Sequence, residues 1–307
     1  GALQETELKP GDADVSFDQD NWLPSIGIVI EPIEPLTLRA SYGETVARQT
    51  FKELTPIIQQ EFLGGPIFIG NPDLQMSNVT NYDVRVDYRP YSGGLVSASW
   101  FYKTVEDPIE YVQRLVSTLT FTTAENYPRG KMSGFEFEIR QNIGQFWDAL
   151  EGLSVGANAT FIASQVTLPD DEQTELSKPA ILAPMSTRDM TAAPEHLLNL
   201  YFTYDLAPTG TRIGLFYTVT GDTLLEGAGV SVNNFVPSVY QVQFDTLNLT
   251  VAQRIGDWFK LQLQAKNLTN PDLETVYRSK YIGKDVTRTS RSAGIDLSVA
   301  VSAQFDF

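Results

Sequence analysis

Cysteine is absent from the 307 residues, which excludes a disulfide framework, a thiolate metal site and a cysteine nucleophile. Histidine is nearly absent as well, and a lone His196 removes most zinc and copper site designs. No run approaches the roughly 18 consecutive apolar residues of a membrane helix, so any crossing of a bilayer must use strands. Basic residues are outnumbered, with 22 Lys and Arg against 38 Asp and Glu, and the net charge of −16 leaves no basic stripe for a nucleic-acid partner. Gly1 is not followed by a basic and then apolar leader, so the leader has been removed or the chain is part of a longer one.

What the chain does have is alternation. From Ile295 to Phe307, the residues Ile295, Leu297, Val299, Val301, Ala303, Phe305 and Phe307 share one face, while Asp296, Ser298, Ser302, Gln304 and Asp306 fall on the other. A period of two is a strand with one apolar and one wet face. The pattern recurs in Tyr82, Val84, Val86 and Tyr88 against Asp83, Arg85, Asp87 and Arg89, and again in Leu153 to Phe161 and Phe259 to Ala265. Alternation alone fits either a soluble all-β domain or a transmembrane barrel whose wet face lines a lumen.

The lengths of the connections separate the two. The sequence reads as eleven strands, near residues 22–30, 36–48, 79–89, 95–105, 131–143, 153–166, 197–206, 212–223, 239–254, 259–268 and 293–307. Tight turns rich in Pro, Gly and Asp alternate with long connections that begin near Gln49, Glu106, Thr167, Leu224 and Thr269. One short edge and one long edge is the outer-membrane arrangement, with periplasmic turns opposite extracellular loops. Tyr42, Tyr82, Tyr88, Trp100, Tyr102, Tyr204 and Tyr217 share the apolar face, as interfacial girdles require. A phase break at Asp245 and Thr246 predicts a bulge in the ninth strand. An odd number of antiparallel strands cannot close on itself, so the expectation is an antiparallel transmembrane β-barrel with an odd number of strands supplied before Gly1.

Several stretches resemble TonB-dependent outer-membrane receptors. They are Leu23-Pro-Ser-Ile-Gly, Leu38-Arg-Ala-Ser-Tyr-Gly-Glu-Thr-Val-Ala-Arg48, Phe51-Lys-Glu-Leu-Thr-Pro56, Gly70-Asn-Pro-Asp-Leu74, Thr80-Asn-Tyr-Asp83 and Lys266-Asn-Leu-Thr-Asn-Pro271. The pair Asn-Pro-Asp-Leu and Thr-Asn-Tyr-Asp is the more specific part, whereas Gln75-Met76-Ser77 departs from the Lys-Pro-Glu often found there. The resemblance implies that residues 1–307 are the carboxy-terminal half of a barrel of about 22 strands. The first half and an amino-terminal plug lie outside this sequence. It implies energised uptake of a scarce nutrient (an iron chelate, a cobalamin-like compound or an oligosaccharide) across the bacterial outer membrane, with no bond made or broken and no cofactor. The implied partners are the lipid bilayer and lipopolysaccharide, the chain's own plug, the TonB complex acting through that plug, and the barrel-assembly machinery, for which Phe305 and Phe307 resemble the signal.

Within that frame the inward rows carry Arg39, Arg85, Arg89, Glu136, Glu138 and Arg140, candidates to seat a plug through charge-assisted hydrogen bonds. Plain solvation of a lumen, or tuning of permeation in a passive porin, accounts for the same residues. In the long connections Arg48, Phe51, Lys52, Tyr111, Tyr127 and Arg129, with Phe62 and Phe68, offer aromatic and cationic groups for a small ligand.

Two other chemistries are visible. Gly152-Leu-Ser154-Val-Gly156 matches a hydrolase elbow, with Asp170, Asp171 and His196 following in order, yet Ser154 falls inside an alternating strand instead of a strand-to-helix turn. The acidic groups Asp12, Asp14, Asp18, Asp20 and Asp170, Asp171, Glu172, Glu175 read as solvated surface instead of calcium sites, for want of the glycine of a calcium loop.

Overall fold

The computed structural model describes residues 20–60, 65–116, 119–231 and 234–303. With strands numbered in chain order, one sheet contains β1 (Ser25–Ile33), β2 (Leu36–Ala47), β5 (Ser77–Tyr88), β6 (Gly94–Glu106), β9 (Arg129–Asn142) and β10 (Leu153–Thr167). It continues through β12 (His196–Leu206), β13 (Thr211–Thr220), β17 (Phe244–Ile255), β18 (Phe259–Lys266) and β21 (Asp296–Ala303). The strands lie in that spatial order, every neighbour antiparallel, with the two-residue β11 (Thr187–Arg188) added at β10. All eleven strands expected from the alternation are present. Among the described residues β1 and β21 are the two edges of this sheet. Phe305 and Phe307 lie outside the described residues, as do Phe62, Asp12, Asp14 and Asp18.

The ninth strand differs from expectation. Asp245 and Thr246 pair with Val219 and Thr218 in unbroken register, so there is no bulge. The phase changes because residues 238–241 are a separate strand, β16 (Ser238–Gln241), in another sheet, and β17 begins only at Phe244.

The outward face is apolar and uncovered. Phe137 is 48% exposed and Val299 68%, and Phe135, Ile139, Leu200, Leu263 and Val301 share their condition. Large side chains in that number are buried in a water-soluble sheet; here they face hydrocarbon. Tyr42, Tyr82 and Tyr102 stand opposite one another in register, with ring centroids 5.3 and 6.3 Å apart, as a girdle near the long-loop edge. Tyr88 and Tyr204 lie toward the tight-turn edge. At that edge Gly152 adopts φ +86°, and a Cβ there sits 2.1 Å from the Asp205 carbonyl oxygen, so the turn demands glycine.

The long connections are not loose. They contribute β3 (Ile58–Gln60), β4 (Ile67–Ile69), β7 (Ile109–Val116), β8 (Leu119–Asn126), β14 (Thr223–Ser231), β15 (Asn234–Val236), β16, β19 (Asp272–Arg278) and β20 (Val286–Ser292). These form a second sheet in the order β20-β19-β16-β14-β7-β8-β4-β3, with β15 on β14. The helices α1 (Phe51–Leu54) and α2 (Asp170–Ser177) also belong to the loops. The largest buried cluster, Val112, Tyr127, Val166, Leu168, Leu176 and Met190, lies here, with Val105 and Met132 against it. Val105, Met132 and Val166 sit on the inward face of β6, β9 and β10, so the loop layer folds over the lumenal side of the sheet.

Phe137→Arg places a charge on the lipid face near the middle of β9 and is expected to destabilise the folded barrel by about 2–4 kcal/mol. Ser99→Arg, on the lumenal face one strand away, is expected to stay within about 0.5 kcal/mol. Urea titration of the protein folded into phospholipid vesicles measures both.

Candidate functional site

The lumenal face is a built polar surface. Thr37, Asp87, Ser97, Glu138, Asn158, Asn199, Thr218 and Thr246 stand opposite one another across eight successive strands, from β2 to β17. Asn199 donates to Asn158 at 2.8 Å and Thr218 donates to Asn199 at 2.8 Å. Arg39 and Arg85 fall in the adjoining row and converge on Asp87, which is 1% exposed. Arg39 Nη1 lies 2.8 Å from Asp87 Oδ2, Arg85 Nε 2.7 Å from Oδ1, and Arg89 Nη2 3.6 Å from Oδ2. Arg85 also reaches Glu138 at 2.9 Å.

Of the six lumenal candidates, four therefore form one network. Glu136 is exposed and accepts from Ser99 at 3.2 Å, and Arg140 is exposed farther along β9. The residue that joins the network, Asp87, was read in the sequence only as one of an alternating row. A buried carboxylate serving three guanidinium groups is a property of register, not of spacing.

The loop layer holds the second arrangement. Gly70-Asn-Pro-Asp-Leu74 locks one loop to another: Asn71 Nδ2 donates to the Ala124 carbonyl at 3.1 Å, Asp73 N donates back to Asn71 Oδ1 at 3.0 Å, and Leu74 is buried with Phe68 and Ala124. Thr50 caps α1 by accepting from Glu53 N, while Glu53 accepts from Thr50 N at 2.6 Å, a reciprocal box that fixes a one-turn helix. Tyr111 of β7 donates to Glu53 Oε1 at 2.8 Å and packs on Phe68 with ring centroids 5.5 Å apart. Burial, followed by this hydrogen bond, pushes the Tyr111 phenol up, so it stays protonated at neutral pH.

These elements enclose a pocket of about 480 Å³, within the usual ~300–1,000 Å³ of small-molecule sites. Lys52, Gln59, Gln60, Phe68, Tyr111 and Thr122 line it on one side, and Leu225 and Glu226 of β14 on the other. Lys52 Nζ lies 5.1 Å from the Phe68 ring centroid. A cavity of about 560 Å³ among Asp205, Arg212, Arg254, Lys260 and Ser302 opens at the tight-turn edge, away from the loops.

The pocket thus gathers Lys52, Tyr111 and Phe68 from the sequence candidates. Phe51 is 91% exposed beside it, and Arg48 and Arg129 are exposed outside its lining. Tyr127 is placed differently from the expectation of a ligand surface. It is fully buried, its ring lies 4.8 Å from the Arg188 guanidinium, and its hydroxyl donates to Glu172 Oε2 at 2.5 Å. Sequence reading missed Gln59, Gln60, Thr122 and Glu226, which no motif or periodicity marks.

Behind the pocket lies a buried charge cluster. Arg188 Nη1 pairs with Glu110 Oε2 at 2.6 Å, Thr191 N donates to the same oxygen at 3.0 Å, and Arg114 pairs with Glu125 through Nε at 2.7 Å. Arg114 also lies 3.7 Å from Glu172. Burial holds the Glu172 carboxyl above the usual carboxylate range, outweighing the Tyr127 hydrogen bond and the Arg114 and Arg188 charges. The acidic run Asp170, Asp171 and Glu172 forms the first turn of α2, where negative charge meets the positive end of the helix dipole.

No hydrolase site is assembled. Ser154 pairs with Thr203 inside β10, and His196 pairs with Phe161, seven residues along the same strand. That separation is about 23 Å, far beyond hydrogen-bond reach.

An outward apolar band, aromatic girdles, tight turns on one edge and an inward-folded loop layer on the other define a transmembrane barrel of the bacterial outer membrane. Residues 4–268 match the family described as TonB dependent receptor-like, beta-barrel, and the chain belongs to that family, whose members are transporters and not enzymes. No curated protein matches the sequence. Among solved structures, a mutant of the ferric enterobactin receptor PfeA from Pseudomonas aeruginosa, in complex with enterobactin, is 14% identical with a TM-score of 0.59 over 93% of this chain and 41% of that one. The FrpB iron transporter from Neisseria meningitidis is 14% identical with a TM-score of 0.56 over 93% of this chain and 38% of that one. The siderophore receptor PirA from Acinetobacter baumannii is 15% identical with a TM-score of 0.54 over 92% and 41%. The chain therefore spans about two fifths of the length of the structures it matches, as part of a barrel.

Asp87→Asn is expected to cost about 1–3 kcal/mol, because it strips charge from the shared acceptor of three arginines, while Glu136→Gln costs within about 0.5 kcal/mol. Unfolding midpoints in urea rank the two. A second expectation concerns pH. Because the folded value of Glu172 is raised, its contribution to the loop layer is complete below the ordinary carboxylate value and is lost as the pH rises through the raised one. Hydrogen exchange of residues 170–177, corrected for intrinsic rates, is expected to show protection falling over that interval, and Glu172→Gln to flatten the dependence.

Proposed function

We propose that this chain is the carboxy-terminal half of the barrel of a receptor that takes up a scarce nutrient across the outer membrane with energy supplied from the periplasmic side. On this reading an amino-terminal plug and the first half of the barrel belong to the same receptor. The plug seats against the network centred on Asp87, and the TonB complex pulls on it. Among the described residues β1 and β21 have no outer neighbour, which supports a need for further strands, since an unsatisfied backbone group in hydrocarbon costs several kcal/mol. The nutrient belongs to one of three classes: an iron chelate, a cobalamin-like compound or an oligosaccharide.

The observation that carries the reading is the loop layer. A passive pore needs an open mouth, whereas here strands from separate loops join in one sheet, fold over the lumenal face and enclose a pocket. Receptors that capture a dilute ligand before moving it need such a pocket. The solved relatives named for ferric enterobactin, iron and siderophores point to the same class of work.

Cells carrying the full-length receptor are expected to accumulate the nutrient saturably and to lose that accumulation when the proton gradient is collapsed. Uptake that rises linearly with concentration and ignores the gradient identifies a passive pore instead and overturns the reading.

A further inference from the structure

The chemistry of the loop pocket narrows what the receptor captures, on the reading that this pocket is the capture site. We propose that it takes a neutral, polyhydroxylated ligand of the glycan class and not an anionic ferric chelate.

The lining brings one ammonium group and one carboxylate, and the carboxylate is already paired with Arg288. Among the described residues Lys52 is its one cation and Glu226 its one anion, and neither Arg48 nor Arg129 lines it. Recognition of a multiply charged anion calls for convergent guanidinium or ammonium groups with forked geometry, and the lining supplies none. Glu226 opposes an anion further. It is 7% exposed, one carboxylate oxygen is held by Arg288 at 2.9 Å, and the other has no hydrogen-bond donor among the described residues. A like charge brought against a buried carboxylate is unfavourable, and low local polarity enlarges the cost.

The neutral polar groups are of mixed character. Gln59 Nε2 donates to the Lys52 carbonyl at 3.2 Å and Gln60 Nε2 to the Gly65 carbonyl at 2.8 Å, which holds both amides in place. Each amide keeps a carbonyl oxygen and a second N–H for a ligand, Thr122 brings a hydroxyl, and the Tyr111 oxygen, its proton committed to Glu53, remains an acceptor. A ligand hydroxyl both donates and accepts, so it matches this set. A catecholate or carboxylate oxygen only accepts, and leaves the acceptors unsatisfied on desolvation. The Phe68 and Tyr111 rings add an apolar wall suited to the C–H faces of a pyranose.

Isothermal titration calorimetry on the detergent-solubilised full-length receptor tests this, with maltohexaose, cellohexaose and laminarihexaose as neutral probes and ferric enterobactin as the anionic one. At least one glucan is expected to bind saturably, with less than about a twofold change between about 50 and 500 mM NaCl. Gln60→Ala, at an exposed position whose side chain among the described residues bonds the Gly65 carbonyl alone, is expected to weaken that binding about tenfold without disturbing the fold. The failure of all three glucans to bind overturns the assignment. So does ferric enterobactin binding that falls steeply with salt and is lost in Lys52→Ala. Both results leave energised uptake standing; that reading fails separately, if accumulation ignores collapse of the proton gradient.

Discussion

A backbone amide in hydrocarbon has no water to bond, and every other feature of this molecule follows from meeting that constraint with strands. Each strand must give all its N–H and C=O groups to neighbours, which requires long, antiparallel, uninterrupted ladders. The side chains are then free to sort by solvent alone, apolar toward lipid and polar toward the lumen. The result inverts a soluble protein. Among the described residues the principal buried cluster is built from the extracellular loops, packed against the loop-side ends of β6, β9 and β10.

Turning polar residues inward creates a second requirement, because charges on a concave wall must be neutralised locally. The rows through Asp87 and Arg85 show how register does this. Antiparallel pairing sets Arg39 opposite Arg85, an unfavourable neighbour pair, and the carboxylate two residues along β5 accepts from both. Farther round the wall the charges give way to Asn158, Asn199 and Thr218, which bond to one another. A surface so organised is stiff and polar, suited to hold a folded segment against it.

The loop layer solves a different problem. Loops long enough to reach across a lumen are costly to order, and here they share the cost by pairing with one another. The parallel contacts of β4 with β8 and of β7 with β14 join strands from three separate connections, and the Arg188–Glu110 pair and the Asn71 hydrogen bond tie them further. The pocket is a consequence of that pairing. Its walls come from Lys52, Gln59, Gln60 and Phe68 of one connection, Tyr111 and Thr122 of a second and Leu225 and Glu226 of a third, which approach only because their strands lie side by side.

The alternation of apolar and polar residues was sufficient to define eleven strands, their two faces, the tight-turn and long-loop edges and the membrane as solvent. A period of two is local, and the two solvents differ so greatly in polarity that each strand reports its own orientation. Where the signal was local but the partner was not, it misled. Residues 239–254 read as one bulged strand because β16 and β17 are both alternating, and only their separate pairing partners divide them. Tyr127 read as a loop-surface aromatic because burial in the loop core depends on α2 and on Arg188, both distant in sequence. The short loop strands, the convergence on Asp87 and the pocket with Gln60 and Glu226 were decided by tertiary structure alone. They depend on which strands become neighbours, and that contact carries no periodicity a single segment can display.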